Sequence, residues 1–394
     1  MSETWFQKDE KYFFHTYHRL PLEIERAEGV YIYTKDGKRC TDFFGGLAVN
    51  ALGHCHPRII AAVEKQIHRY MHVSNYFLQE PQVELAERLL KLTGYEKVFF
   101  SNSGTEAVEG AIKLSRKWGK KNGKTRLLSM TNSFHGRTMG ALSLTERPKY
   151  RDGYEPFLPD TDSVEFNNVK DLIRKAGTTT LAVILEFIQG EGGVNVVSAE
   201  FVKSLAALQK QFGFLIIADE IQTGVGRTGK FFAFQNFDVH PDIVVLAKAI
   251  GGGLPLGAIL GNGRVADIFA GGSHGTTFGG NPVACAAGCA VVDEILEKKL
   301  MNKASDIGVS IKSKALELQI DFPRRIKEVR GIGCMIGIEL YEDAQPLVDE
   351  LLLRGFLANC TNTTVLRLLP PYLVEEEQCE ALMFEIRSIL QTKR

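Results

Sequence analysis

The chain has 394 residues, 44% hydrophobic and 24% charged, with 47 basic residues balanced by 47 acidic ones. That composition belongs to a globular protein, longer than one hydrophobic core comfortably supports, so one large and one smaller domain are expected. With no basic tract and no apolar run of the ~18 residues a membrane span needs, neither nucleic acid nor membrane is expected as a partner.

The opening Met1-Ser2-Glu3-Thr4-Trp5 lacks a basic segment followed by an apolar one, so no leader is read there. Its seven cysteines are scattered without a CxxC pair, which favours neither a disulfide frame nor a zinc site. A cytoplasmic enzyme of a reducing compartment is expected. Cys285 and Cys289, spaced i, i+4 among small residues, read as buried packing thiols.

A short helix is expected within the aromatic and charged first thirty residues, followed by a hairpin from Gly29 to Asp42 around Lys35-Asp36-Gly37-Lys38. Helical periodicity covers Pro57 to Met71 and Pro81 to Leu92, the first with proline at its first turn. His54, His56, His68 and His72 lie nearby without a carboxylate at ligand spacing, so helix-start and surface roles are expected and no metal.

Strand and helix patterns then alternate. Strands are expected at Lys97 to Ser101, Arg126 to Met130, Leu181 to Glu186, Phe214 to Asp219, Ile243 to Ala247 and Gly257 to Gly261. Helices are expected at Gly104 to Lys120, Ala199 to Gln211 and Val283 to Lys298. This order implies an α/β layer around a mostly parallel sheet, and near-continuous apolar strands imply cover on both faces. Beyond it, Arg330 to Leu340, Leu347 to Arg354, Val365 to Leu369 and a helix from Glu375 to Leu390 suggest a small α+β domain. The expected division is a large domain over residues 50–290 and a small one from residues 1–49 and 291–394, with the N-terminal hairpin joining the C-terminal part.

Four segments carry the chemistry. Lys248 follows five apolar residues and precedes Gly251-Gly252-Gly253. Desolvation there lowers an ammonium pKa and frees the amine to attack a carbonyl. Asp219 ends the preceding apolar strand. A lysine and an aspartate at the ends of successive strands are what pyridoxal 5′-phosphate requires, an amine for its aldehyde and an anion for its ring nitrogen. Glu220, one residue on, would face the other way. Ser103, Gly104 and Thr105 open a helix after a strand, as an anion site or as an ordinary cap. Phe134 could stack on a ring or pack in the core, and Arg137 could clamp a carboxylate through its planar fork or make a surface ion pair.

The segments Asp219 to Gly229 (DEIQTGVGRTG) and Leu246 to Gly257 (LAKAIGGGLPLG) resemble the class III, or ω-amino acid, aminotransferases. The resemblance runs from about residue 20 to about residue 370 through at least six ordered segments. It implies the aspartate aminotransferase-like fold-type I architecture, a three-layer large domain with a small domain built from both termini. It also implies pyridoxal 5′-phosphate held with its phosphate on Ser103, Gly104 and Thr105, its ring under Phe134, and its phenolic oxygen near Gln222. Thr277, in His274-Gly275-Thr276-Thr277-Phe278, would reach the phosphate of a neighbouring subunit, so a homodimer with shared sites is implied.

By the same resemblance Glu191 and Arg367 form a switch. Paired, they present a neutral surface to an uncharged distal arm; separated, Arg367 binds the carboxylate of 2-oxoglutarate. Phe44 to His54 (FGGLAVNALGH) is most similar to the branch acting on N-acetylornithine. No tyrosine stands near Gly46 or Leu47, as ornithine-specific relatives usually have, and Leu47 and Val49 would suit an N-acyl group. Amine donors left open are 4-aminobutyrate, succinylornithine, ornithine and an aminoadipate-semialdehyde type, and beyond transamination an aminomutase or racemase. Glu186-Phe187 departs from the Glu-Pro usual in relatives.

Overall fold

The computed structural model describes residues 3–392. Its centre is a seven-stranded sheet in the order Lys97–Ser101, Gly257–Gly261, Ile243–Leu246, Leu215–Asp219, Thr180–Leu185, Arg126–Met130, Thr161–Val164. Gly257–Gly261 runs antiparallel to both neighbours; the remaining pairs are parallel. The expected mostly parallel α/β sheet is therefore present.

Alternation along these strands builds two core layers. Leu127, Ile184, Ile217 and Val245 pack on one face with Ala107, Val108 and Ala111 of the helix Gly104–Asn122. Leu128, Val183, Ile216 and Val244 pack on the other with Phe201 and Leu205 of the helix Ala199–Phe212. All six residues of Thr180–Leu185 are buried, which explains a run with no polar face. The Ala199–Phe212 helix begins where Ser198 Oγ accepts the Phe201 N–H at 3.1 Å and ends at Gly213, whose φ of 70° closes the last turn.

The N-terminal hairpin joins the C-terminal part of the chain. Thr41 and Asp42 pair in parallel with Phe356 and Leu357. A second four-stranded sheet orders Ile326–Gly331, Ile336–Leu340, Val365–Leu368 and Asn359–Thr361, so the Arg330 to Leu340 segment is a hairpin bend rather than one element.

Several elements fall outside the sequence expectations, among them one edge strand and one long helix. The edge strand Thr161–Val164 (TDSV) carries a single apolar residue. The helix Leu300–Asp321 buries Leu300, Ala304, Ile307, Ile311, Ala315 and Leu318, a stripe weakened to the eye by its two alanines. Cys285 and Cys289 are buried, as expected of packing thiols. No helix among the described residues is long and apolar enough to cross a membrane.

Candidate active site

The strands ending at Ser101, Met130, Leu185, Asp219 and Leu246 point the same way, so the loops after them meet at one edge of the sheet. In parallel sheets that edge is where ligands bind. A cavity of about 450 Å³ lies there. It brings together Lys248, Asp219, Gln222 and Phe134 with the helix start at Ser103, Gly104 and Thr105, and Arg137 stands in its wall.

Lys248 is delivered by a fully buried strand and holds a left-handed φ of 54°. Such backbone in a non-glycine residue is uncommon and clusters at functional sites. Burial pushes its amine down to about 8, with Glu191 pulling it up and Arg367 pushing it further down.

Asp219 lies beside Val245 of the Lys248 strand and is buried. Its Oδ2 is 2.7 Å from His135 Nδ1, and its Oδ1 accepts the Ile221 N–H at 3.1 Å. Glu220 does face the other way. Its carboxylate accepts from Thr223 Oγ1 at 2.5 Å and from the N–H groups of Ala233 and Phe234, both at 2.9 Å. Burial raises it to about 7 against those donors.

His135 and Glu186 are site residues that the sequence reading did not assign. The signal for His135 was its place between Phe134 and Gly136 after a strand. Glu186 stood at the strand end, in plain view, noted only for the residue after it. Its two oxygens accept the Phe134 N–H at 3.0 Å and the Gly190 N–H at 3.1 Å, tying two loops of the site together. Burial lifts its carboxyl to about 7; His135 opposes the rise and Asp219 adds to it. Phe187 is buried, its ring 5.5 Å from that of Phe237.

At the helix start, Ser103 Oγ accepts the Glu106 N–H at 3.3 Å, and Thr105 Oγ1 lies 3.0 Å from Thr138 Oγ1. The capping reading of Ser103 is thus realised in a residue that also lines the cavity. Close approach dictates the glycines. A Cβ on Gly104 would meet Ile221 at 2.8 Å, and one on Gly136 (φ 139°) would meet Thr105 Oγ1 at 2.3 Å.

Arg137 is exposed, with its guanidinium 3.8 Å from the centre of the Tyr150 ring. Tyr150 also meets Phe134 edge-on, with ring centres 5.6 Å apart. This stacking holds a solvent-facing cation over the mouth. Tyr150 is another residue the sequence reading passed over.

Arg367 is fully buried and donates from Nη1 to Glu191 Oε1 at 2.7 Å and to Gln222 Oε1 at 3.1 Å. Its Nε reaches Asn359 Oδ1 at 3.1 Å. Burial acts to raise the Glu191 carboxyl, but Arg367 outweighs it, with Lys248 and Arg147 adding, and holds it below the usual carboxylate range. Thr277 lies apart from this group, exposed on its loop. The histidines near residue 56 have other partners: His54 Nε2 is 2.8 Å from Asp42, and His56 lies 3.7 Å from Glu294. No cluster of three metal-ligating side chains occurs among the described residues.

The chemistry of the donor set fits pyridoxal 5′-phosphate. A buried amine with lowered pKa stands near a buried carboxylate, and a long helix opens with its N–H groups on the same cavity. Two further buried nitrogens, His135 Nε2 and Arg367 Nη2, have no partner among the described residues.

Comparison with known proteins agrees. The family model described as aminotransferase class-III matches residues 12–390. The acetylornithine aminotransferase of Methanocaldococcus jannaschii is 43% identical over 97% of this chain and 96% of its own; that of Aquifex aeolicus is 44% identical over 96% and 100%. Among solved structures, the ornithine aminotransferase of Toxoplasma gondii ME49 superposes with a TM-score of 0.94 at 30% identity, covering 98% of this chain and 94% of that one. The acetylornithine aminotransferase of Elizabethkingia anophelis gives 0.88 at 34%, covering 98% of each chain.

Proposed function

This chain belongs to the class-III aminotransferase family, whose cofactor is pyridoxal 5′-phosphate, and we propose that it moves the terminal amino group of N-acetylornithine, or a similar N-acyl ω-amino acid, to 2-oxoglutarate. The products are the semialdehyde and glutamate, formed by a ping-pong mechanism. The observation that carries this reading is the fully buried Arg367 paired at 2.7 Å with the partly exposed Glu191, beside Gln222 at the cavity. One site must take an uncharged distal arm in one half-reaction and a carboxylate in the other, and a cation with a detachable counter-ion meets both demands.

The cofactor supplies the aldehyde that carries the amino group and a ring that withdraws electrons. Lys248 Nζ, poised to lose its proton near neutral pH, takes the proton from the substrate carbon bearing the transferred amine and later gives one back. Asp219 would supply the negative charge for the cofactor's ring nitrogen, and His135 fixes the orientation of that carboxylate. Ser103, Gly104 and Thr105 would hold the cofactor's phosphate, and Phe134 and Gln222, which line the same cavity, would hold its ring. Arg137, stacked on Tyr150, binds the α-carboxylate of the donor. Val49 in the cavity wall favours the acyl group over a second ammonium.

The enzyme works as a cytoplasmic homodimer in which Thr277 serves the partner's site. The exposed Tyr76, Phe77, Leu78 and Phe278 supply apolar area for that contact. Residues 50–290 form the cofactor-binding unit, and residues 1–49 with 291–394 the smaller one, supported by the pairing of Thr41 with Phe356.

The test is to supply the purified protein with N-acetylornithine, ornithine, 4-aminobutyrate or lysine, each with 2-oxoglutarate, and score glutamate. N-acetylornithine should give the highest kcat/KM. Absence of glutamate from it removes the proposed donor, and turnover without any 2-oxoglutarate identifies an isomerase instead.

A further inference from the structure

Glu191 rides on a turn that cannot hold its shape alone. Gly193 has φ of 112° and Val194 φ of 59°. A β-branched residue in the left-handed region is strained, and such strain persists only where surrounding contacts impose it. The contacts are specific. Arg330 donates from Nε and Nη2 to the Gly193 carbonyl at 3.0 and 2.7 Å. Thr361 Oγ1 donates to the Glu191 carbonyl at 2.8 Å, and Arg147 Nη1 donates to the same oxygen.

Arg330 is itself fixed. Its Nη1 donates to Glu328 Oε2 at 2.8 Å and to Glu339. Arg330, Thr361 and Arg367 stand on three strands of one four-stranded sheet, Ile326–Gly331, Asn359–Thr361 and Val365–Leu368. The sheet that carries the switch arginine therefore also grips the turn that carries its counter-ion. With the Glu191 and Gly193 carbonyls anchored, exchange between paired and open states is left to side-chain rotation, and the turn acts as a fixed stop.

We propose that Arg330, assisted by Thr361, is a positioning residue that sets how completely Glu191 neutralises Arg367, and so which half-reaction the site favours. This rests on the switch reading given above. Arg330 is absent from the cavity wall and acts only through the Gly193 carbonyl, as Thr361 acts through that of Glu191. A loosened turn leaves Arg367 less neutralised, which penalises an uncharged distal arm and rewards a carboxylate.

The experiment uses holoenzyme variants Glu191→Ala, Arg330→Gln, Arg330→Lys and Thr361→Val. Two quantities are read: the ratio of kcat/KM for glutamate over N-acetylornithine as donor, and the Kd of glutarate by calorimetry. Arg330→Gln should raise the ratio about fivefold or more and tighten glutarate, the scale expected when a charge-assisted hydrogen bond is lost. Arg330→Lys should recover part of the change. Thr361→Val, which keeps its shape, should move both readings the same way and carries the test if Arg330→Gln does not fold. Adding Arg330→Gln to Glu191→Ala should shift the ratio no further. If Glu191→Ala shifts the ratio and Arg330→Gln with Thr361→Val does not, the positioning role is overturned alone. If Glu191→Ala shifts nothing, the switch reading falls and this proposal with it.

Discussion

His135 Nδ1 and Asp219 Oδ2 lie 2.7 Å apart, both side chains buried. The imidazole fixes which way the carboxylate faces, so loss of either partner should disturb the cofactor ring rather than the fold. Asp219→Asn should cut kcat by about 10²–10³, the scale of removing one buried charge-stabilising group from an active site. His135→Asn should cost less and shift the visible absorption band of the bound cofactor. Steady-state kinetics and absorption spectra of both variants check this.

Lys248 should combine with free aldehyde far below the pH that an ordinary lysine needs. Its amine is pushed down to about 8 by burial, so the neutral fraction rises with pH through that value. Uptake of pyridoxal 5′-phosphate by the apoprotein, followed by absorbance, should accelerate from pH 6 and level off above about pH 9, where the amine is mostly neutral. A midpoint near 10.5 contradicts the desolvation argument. Lys248→Ala should lower kcat by about 10²–10⁴, the usual share of a proton-transferring group.

Removing the counter-ion of Arg367 should alter preference more than speed. With Glu191→Ala, the buried guanidinium loses its 2.7 Å partner, and an uncharged arm must approach an uncompensated charge. N-acetylornithine kcat/KM should fall about tenfold or more while glutamate is spared, since a buried charge left without its counter-ion disfavours an uncharged neighbour. Parallel half-reaction rates with the two donors measure it.

A methyl group at position 190 offers a cleaner probe. A Cβ on Gly190 would lie 2.0 Å from Gln222 Oε1, the far end of a side chain that can swing away. Gly190→Ala should therefore displace Gln222 and its 3.1 Å bond from Arg367. The melting temperature should move only slightly, a change under about 1 kcal/mol, because a mobile side chain relieves the crowding. Catalytic efficiency should drop roughly tenfold, the scale of one lost hydrogen bond to a charged group. Calorimetry beside kinetics separates the two effects.

The large sheet was readable because both its faces are covered, so stretches such as Leu181 to Leu185 and Ile243–Leu246 are unbroken apolar runs. Lys248 and Asp219 stood out for the same reason, each a charge at the end of such a run. Thr161–Val164 was invisible because an edge strand needs no such pattern. His135, Glu186 and Tyr150 were missed on other grounds. Their roles come from partners far along the chain or across a loop, such as Asp219 for His135 and Gly190 for Glu186, and no local periodicity encodes those pairings. Arg330 belongs with them, since its contact reaches from a strand to the turn at Gly193, well over a hundred residues earlier in the chain.

The parallel pairing of Thr41 with Phe356 joins residues more than three hundred positions apart. On the ribosome, at about 5–20 residues per second, the early hairpin waits roughly 15–60 s for that partner to emerge. Throughout that interval its outer strand is an open edge in a crowded cell, so chaperone demand should concentrate on the nascent chain before residue 356 is made.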